Sequence, residues 1–476
     1  MIVLIIVQGC DKEEKPEPEP EPEPTEIQYQ IVNEWIFDHM EVYYYWNTQI
    51  PKNLSKSLKP DEYFESLLSK EDRFSVIYDN FQELYESLMG VNTEAGYDYM
   101  LLRLSGGSDI MGYITYIKPK TPAEAAGLKR GDFFLRINNT QLTINNYRTL
   151  LQETTKRHTL GLAKIEGNTI YPTDNVDLSV IVYEENPILL DTVYYDNNRK
   201  IGYFVYNFFA RDSEENGIRY ERELNELFGK YKTEGIDDLI IDLRYNSGGT
   251  TVKAQALASM ISGLSSTDIF GYTEYNSYLH SHWSVSDGAN YNVMYFLDEI
   301  VRAPNDKTPI NKLSGLNRLY LIVSGQTASA SELLINGLRP YMGAENVVLV
   351  GETTFGKNVG SFLLYERDSE KQKTNNWGML PIVFKLSNKL HFSNYSNGFE
   401  PDVDIHETDD LLYMKPLGDT EELLLATTLD MISGISKMRK QDIGVKFEIV
   451  GSAIDRMPAR KNMYIYDRKN SLFGRD

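Results

Sequence analysis

At 476 residues, with 41% hydrophobic and 12% aromatic content, the chain is long enough for roughly two to four domains and too apolar to be disordered. Its 48 basic and 69 acidic side chains leave a formal charge of −21, which argues against nucleic-acid binding, since phosphate contacts need clustered Lys and Arg. One cysteine, Cys10, excludes an intramolecular disulfide.

The chain begins MIVLIIVQGC, an apolar run of seven residues followed by Gln8, Gly9 and Cys10. Such a run is too short to span a bilayer. It resembles the end of a bacterial lipoprotein signal peptide, in which cleavage before the cysteine leaves its thiol to carry lipid. Asp11 to Glu26 then holds eight acids and two lysines, and Glu and Pro alternate from Pro16 to Pro24. That composition builds no core and extends as a stiff tether. The resemblance implies a signal peptide over 1–10, lipidation at Cys10 and a tether over 11–26. The globular part would then stand outside the cytoplasm, on the periplasmic or cell-surface side of a membrane.

Residues 27–96 read as a helical, aromatic domain, with Ile31, Trp35, Ile36 and Met40 on one stripe. Tyr43, Tyr44, Tyr45 and Trp46 suit a packed corner better than a ligand platform. Over 97–175 the pattern changes to a strand at Tyr113 to Ile117, a short helix at Ala123 to Ala126, and a second strand at Phe133 to Ile137. Gly127 and Gly131 mark sharp turns. The run Thr121-Pro122-Ala123-Glu124-Ala125-Ala126-Gly127-Leu128-Lys129-Arg130-Gly131-Asp132 resembles a bacterial-type PDZ domain. The resemblance implies a groove that takes a peptide as an added strand. By position, 105–112 would be its carboxylate loop and Tyr113 to Ile117 its receiving edge, with Gly112, Tyr113 and Ile114 touching the peptide.

From 176 to 435 strands and helices alternate, as in KIGYFVYNFF, RYERELNELFGKY and DDLIIDLRYN, with a helix from Val252 to about Leu264. This argues an α/β core with buried, largely parallel strands. The polar, tyrosine-rich stretch from Thr267 to Lys312 reads as an insertion over that core. Residues 436–476 form a mixed, partly basic extension with no readable role.

Three core segments carry chemistry. RLYLIVSGQTASASE runs from a buried strand through a tight turn to a helix start, which sets a serine beside free helix amides. Ser329 and Glu332 also have capping-box spacing, so a plain helix cap competes with a nucleophile there. VVLVGETTFGKNVGSF places Lys357 in a Gly-flanked loop after a buried strand, where desolvation would lower its pKa and make it a base. IIDLRYNSGGTT joins strand to helix through Gly248 and Gly249, whose backbone can approach a bound group closely.

Together these segments resemble the carboxy-terminal processing peptidases, or tail-specific proteases. T-A-S-A-S-E stands at 327–332, G-E-x-T-F-G-K at 351–357, D-L-R-x-N-x-G-G at 242–249, and G-x-x-P-D at 398–402. The family implies a multidomain protein whose core is a ClpP/crotonase-like βαβ fold, acting as a serine endopeptidase on chains presented by flexible C-terminal ends. It makes Ser329 the nucleophile, Lys357 the base and Glu332 a support, with oxyanion amides from Ala330 and from Gly248 or Gly249. It needs no metal or other cofactor. Two departures are a longer linker around Met342 to Asn346 and Asn358 where many members have glycine. None of the six histidines lies in a triad motif. The other reading of the same residues is an inactive PDZ scaffold lipoprotein that only binds peptides.

Overall fold

The computed structural model describes residues 26–104, 107–167, 169–196, 198–210, 217–313, 315–366, 375–435, 447–456 and 464–465. Cys10, the tether to residue 25 and two residues of the expected carboxylate loop, Ser105 and Gly106, lie outside them. Among the described residues no helix is long and apolar enough to cross a membrane.

The N-terminal module has helices Glu26–Tyr43, Pro60–Leu67 and Phe81–Leu88. Trp35, Ile36, Met40, Tyr43 and Tyr44 are buried in the main core, while Ile31 is largely exposed. The module is fastened to the core through backbone groups. Asn276 Nδ2 donates to the carbonyls of Val42 and Tyr44, both at 2.9 Å, and Tyr45 N donates to Ile382 O at 2.8 Å. Val76–Tyr78 adds a short strand antiparallel to Gly378–Leu380.

The PDZ module is a sheet with spatial order 447–452, 97–104, 110–117, 133–137, 158–166, 169–178. Thr121 caps the short helix Pro122–Ala125, where Pro122 supplies the favoured first position. The strand expected to receive a peptide, Ile110–Ile117, lies inside this sheet, paired with Tyr97–Leu104 on one side and Phe133–Ile137 on the other. Gly112 packs under a ring: a Cβ there would lie 2.1 Å from Phe134 Cζ. Tyr113 and Ile114 are fully buried. The assignment of Gly112, Tyr113 and Ile114 to peptide binding is therefore corrected, because a strand with two partners has no free edge to offer.

The core sheet has order 188–196, 199–206, 238–242, 318–323, 347–351, 403–404, parallel except for its first pair. Its central strands are apolar on both faces, as burial under helices requires. A second sheet of order 249–250, 464–465, 359–361, 382–388, 269–275, 293–295 stands beside it. The stretch Thr267 to Lys312, expected as an overlying insertion, is part of that second sheet through Ile269–Tyr275, and its Phe270, Leu279 and Trp283 belong to the main core. Scattered polar residues hid this, because only one face of each element there is buried.

Candidate active site

Three neighbouring parallel strands, Asp238–Asp242, Arg318–Val323 and Val347–Gly351, deliver the three motif segments from their carboxyl ends. Cross-bonds then lock the loops together. Leu243 N donates to Ile322 O at 2.8 Å, Ala328 N to Asn246 O at 3.1 Å, and Phe355 N to Thr327 O at 2.9 Å. Thr327 Oγ1 donates to Leu243 O at 2.8 Å, and Ser331 Oγ to Asn246 O at 3.2 Å. Ser331 thus ties the helix start to the Gly248 loop. The late motif acts on the lysine loop, since Thr354 N donates to Phe399 O and Phe399 N to Thr354 Oγ1.

Ser329 is the N-cap of the helix Ala330–Met342 and has φ 61°, ψ −110°. That region strongly disfavours a residue with a Cβ, and surrounding bonds must hold it there. Glu332 does so from one side: its Oε2 accepts from Ser329 N at 2.9 Å. Ser329 and Glu332 have the arrangement of a capping box, but Ser329 Oγ makes no side-chain cap hydrogen bond and is buried without a hydrogen-bond partner. A cap would use that oxygen; here it is left over for chemistry.

Glu332 is completely buried and spends all its acceptor capacity locally. Oε1 accepts from Thr354 Oγ1 at 2.6 Å and Gly356 N at 2.7 Å, and Oε2 also accepts from Lys357 N at 2.8 Å. Burial pushes its pKa up, and these four donors pull it back. The amides of Ser329 and Lys357 therefore stand no farther apart than two hydrogen bonds laid end to end.

Lys357 is 2% exposed, and burial lowers its pKa from 10.5 to about 7 against the charges of Asp72 and Glu332. At neutral pH this raises the uncharged fraction from roughly one in a few thousand to about half. Its Nζ lies 5.0 Å from the centre of the Phe74 ring. Asp72 is held by Tyr44 Oη at 2.8 Å, by the amides of Phe74 and Ser75 at 2.9 Å, and by Ser75 Oγ. Asp72 and Phe74 come from the N-terminal module, and sequence reading missed both. Their one local signal is the Asp-x-x-Ser spacing, which reads as an ordinary turn.

The oxyanion side is also revised. A Cβ on Gly248 (φ +106°) would lie 2.6 Å from Ser329 Cβ and 2.9 Å from Ala330 N, so glycine keeps the space before the Ala330 amide open. Gly248's own N–H already donates to Asn246 Oδ1 at 2.9 Å, and Gly249 lies in a short strand paired with Tyr464–Ile465. Gly248 thus contributes clearance where a donor was expected. Beside Lys357 a cleft of about 610 Å³ is lined by Tyr45, Trp46, Arg73, Phe74, Asn358 and Lys385, among others. Tyr45 and Trp46 therefore face a cavity, whereas Tyr43 and Tyr44 are the packed corner.

This arrangement sets a PDZ module ahead of an α/β core whose loops bring together a serine with an unpartnered hydroxyl and a buried lysine. Residues 200–377 match peptidase family S41, residues 32–76 the peptidase S41 N-terminal domain, and residues 113–164 a PDZ domain. It is 25% identical over 257 residues to the carboxy-terminal processing protease CtpA of Bacillus subtilis (strain 168), a match covering 52% of this chain and 45% of that protein. The match thus spans less than half the length of this relative. A crystal structure from Bacteroides fragilis NCTC 9343, described as an S41 protease, has the same fold, with a TM-score of 0.65, 24% identity, and coverage of 89% of this chain and 100% of that one.

Proposed function

We propose that the chain is a serine endopeptidase of the carboxy-terminal processing type, with Ser329 as nucleophile and Lys357 as base. The observation that carries this reading is the shared acceptor Glu332 Oε2, which holds a serine with an unpartnered hydroxyl next to a lysine buried enough to lose its proton near neutrality. Neutral Lys357 takes the Oγ proton as Oγ bonds to the scissile carbonyl carbon. The carbonyl oxygen gains negative charge beside the Ala330 amide at the helix N-terminus. The C–N bond then breaks, and the departing amine takes the proton held on Lys357. Water, deprotonated by Lys357, attacks the acyl ester and frees Ser329.

Substrates in this reading are polypeptides presented by flexible C-terminal ends, with the PDZ domain holding the tail and the cleft beside Tyr45 and Trp46 receiving the chain. Cys10 carries the lipid anchor, and the enzyme acts outside the cytoplasm on a bacterial membrane.

The test is incubation with β-casein as an unstructured polypeptide, comparing wild type with Ser329→Ala and Lys357→Ala. Wild type should cleave, and each variant should lose at least a hundredfold in rate. Equal cleavage by all three would falsify the dyad. Binding of C-terminal peptides with no cleavage by any would instead establish a peptide-binding scaffold. Membrane fractionation of Cys10→Ala separately tests the anchor, which requires release into the soluble fraction.

A further inference from the structure

The outer edge of the PDZ sheet is the strand Tyr97–Leu104, and that edge is not empty. Phe447–Ser452 pairs along it antiparallel, with Phe447 opposite Leu104, Glu448 opposite Arg103, Ile449 opposite Leu102, Gly451 opposite Leu101 and Ser452 opposite Met100. An antiparallel strand laid on a sheet edge is how an extended peptide is bound by strand addition. Here the added strand comes from the chain's own C-terminal extension.

Two side chains of this strand add little to its hold. Ile449 is 47% exposed, and the Glu448–Arg103 pair, at 3.6 Å, is solvent-accessible. Exposed pairs of that kind contribute about 0–1 kcal/mol. Attachment comes from the backbone ladder, from Phe447 and Val450, which are partly buried against the PDZ clusters, and from the buried Ala453 and Ile454 that follow. Backbone pairing is sequence-tolerant, so another extended peptide can replace it.

The same extension recurs at the catalytic segments. Tyr464–Ile465 pairs in parallel with Gly249–Thr250 on one side and with Ser361 on the other. Those partners directly follow Gly248, which packs on Ser329, and the Lys357 loop. Between the PDZ edge and the nucleophile loop lies a cavity of about 220 Å³, walled by Met100, Gln326, Ile449, Gly451, Ser452 and Asp455 among others. Gln326 Nε2 sits 2.9 Å from Met100 Sδ, three residues before Ser329.

From these placements we propose that residues 447–452 are an intramolecular ligand of the PDZ edge, and that with 464–465 they form a strap which an incoming substrate tail must displace. The partner that competes for the edge is an extended, unstructured polypeptide segment running antiparallel to Tyr97–Leu104. The inhibitory consequence rests on the proteolytic reading above; the occupancy of the edge does not.

The test keeps the full chain. In a Cys10→Ser background, Arg103→Cys and Glu448→Cys place two thiols on directly opposed residues, the only cysteines present. Two readouts follow in oxidised and reduced protein: binding of a fluorescein-labelled peptide of sequence KFEIVGSAI, and cleavage of β-casein. The oxidised, strapped form should lose both by tenfold or more, and reductant should restore them. If the disulfide does not form on mild oxidation, or if the peptide binds both forms alike, the strap is overturned. A redox difference in peptide binding with no cleavage by either form upholds the strap and removes the proteolytic reading instead.

Discussion

Ser329 and Lys357 share one acceptor: their backbone amides donate to the same oxygen, Glu332 Oε2, at 2.9 and 2.8 Å. Two strands' loops are joined through a single buried atom, so the carboxylate sets the spacing of the site. Glu332→Gln turns two donors of an NH₂ group toward amides or hydroxyls that also donate. We expect stability to fall by about 2–4 kcal/mol and kcat/KM by at least a hundredfold. Urea titration and steady-state kinetics measure the two effects. A variant that keeps full activity would mean that the spacing is set elsewhere.

The lowered pKa of Lys357 has a signed consequence in two assays. As the proposed base, Lys357 works only when neutral, so kcat/KM should rise with pH along a limb centred near 7. For stability, the unfolded lysine holds its proton up to its ordinary 10.5, while the folded one releases it near 7. Between these values the unfolded state binds more protons, so the lysine's contribution to stability grows with rising pH. Lys357→Met should therefore stabilise the fold most at and below pH 7, by a few kcal/mol, with the gain fading toward pH 10. Melting curves across that range measure it, and a pH-independent gain would contradict the assignment.

Asp72 and Phe74 should move the activity limb in opposite directions. Asp72 opposes the fall in the lysine's pKa through its charge, so Asp72→Asn should shift the limb to lower pH by about half a unit to one unit. Phe74 covers Nζ, so Phe74→Ala admits water and should shift the limb to higher pH by about one unit or more. A purely structural role for these residues would lower activity and leave the limb in place.

PDZ and core are joined through buried ion pairs. Arg130, from the PDZ motif, reaches Glu407 at 2.5 Å and Glu422 at 3.2 Å, and Arg244 binds Glu422 at 2.6 Å and Asp242 at 2.8 Å. Burial alone would push the Glu422 pKa up; the charges of Arg244 and Arg130 outweigh it and hold the group down at about 2. A depressed carboxylate contributes stability above its unfolded value of 4.5 and loses it as pH falls toward 2. The melting temperature should therefore drop across that window. Arg130→Met leaves two acids short of a partner and should cost about 3–5 kcal/mol at pH 7, with a shallower acid slope.

The chemistry of this chain is readable from contiguous motifs because each motif is one loop after one buried strand. T-A-S-A-S-E, G-E-T-T-F-G-K and D-L-R-Y-N-S-G-G each announce a strand end, a turn and a reactive or cradling group, and three parallel strands bring them side by side. Capping and nucleophilic roles could not be separated at Ser329 in the sequence, since both need the same spacing; the unpartnered Oγ and the positive φ are visible only in the fold. The other decisions were tertiary. Desolvation of Lys357 is a sum over neighbours from another module, Phe74 among them, and a sum over space leaves no mark on local sequence. Which PDZ edge is open depends on backbone pairing between residues more than three hundred positions apart in the chain, and backbone hydrogen bonds carry no side-chain signature. Periodicity and turn chemistry thus reach as far as a strand and its loop, while the choice of partner for an edge, or of lid for a charge, is made only when the chain has folded.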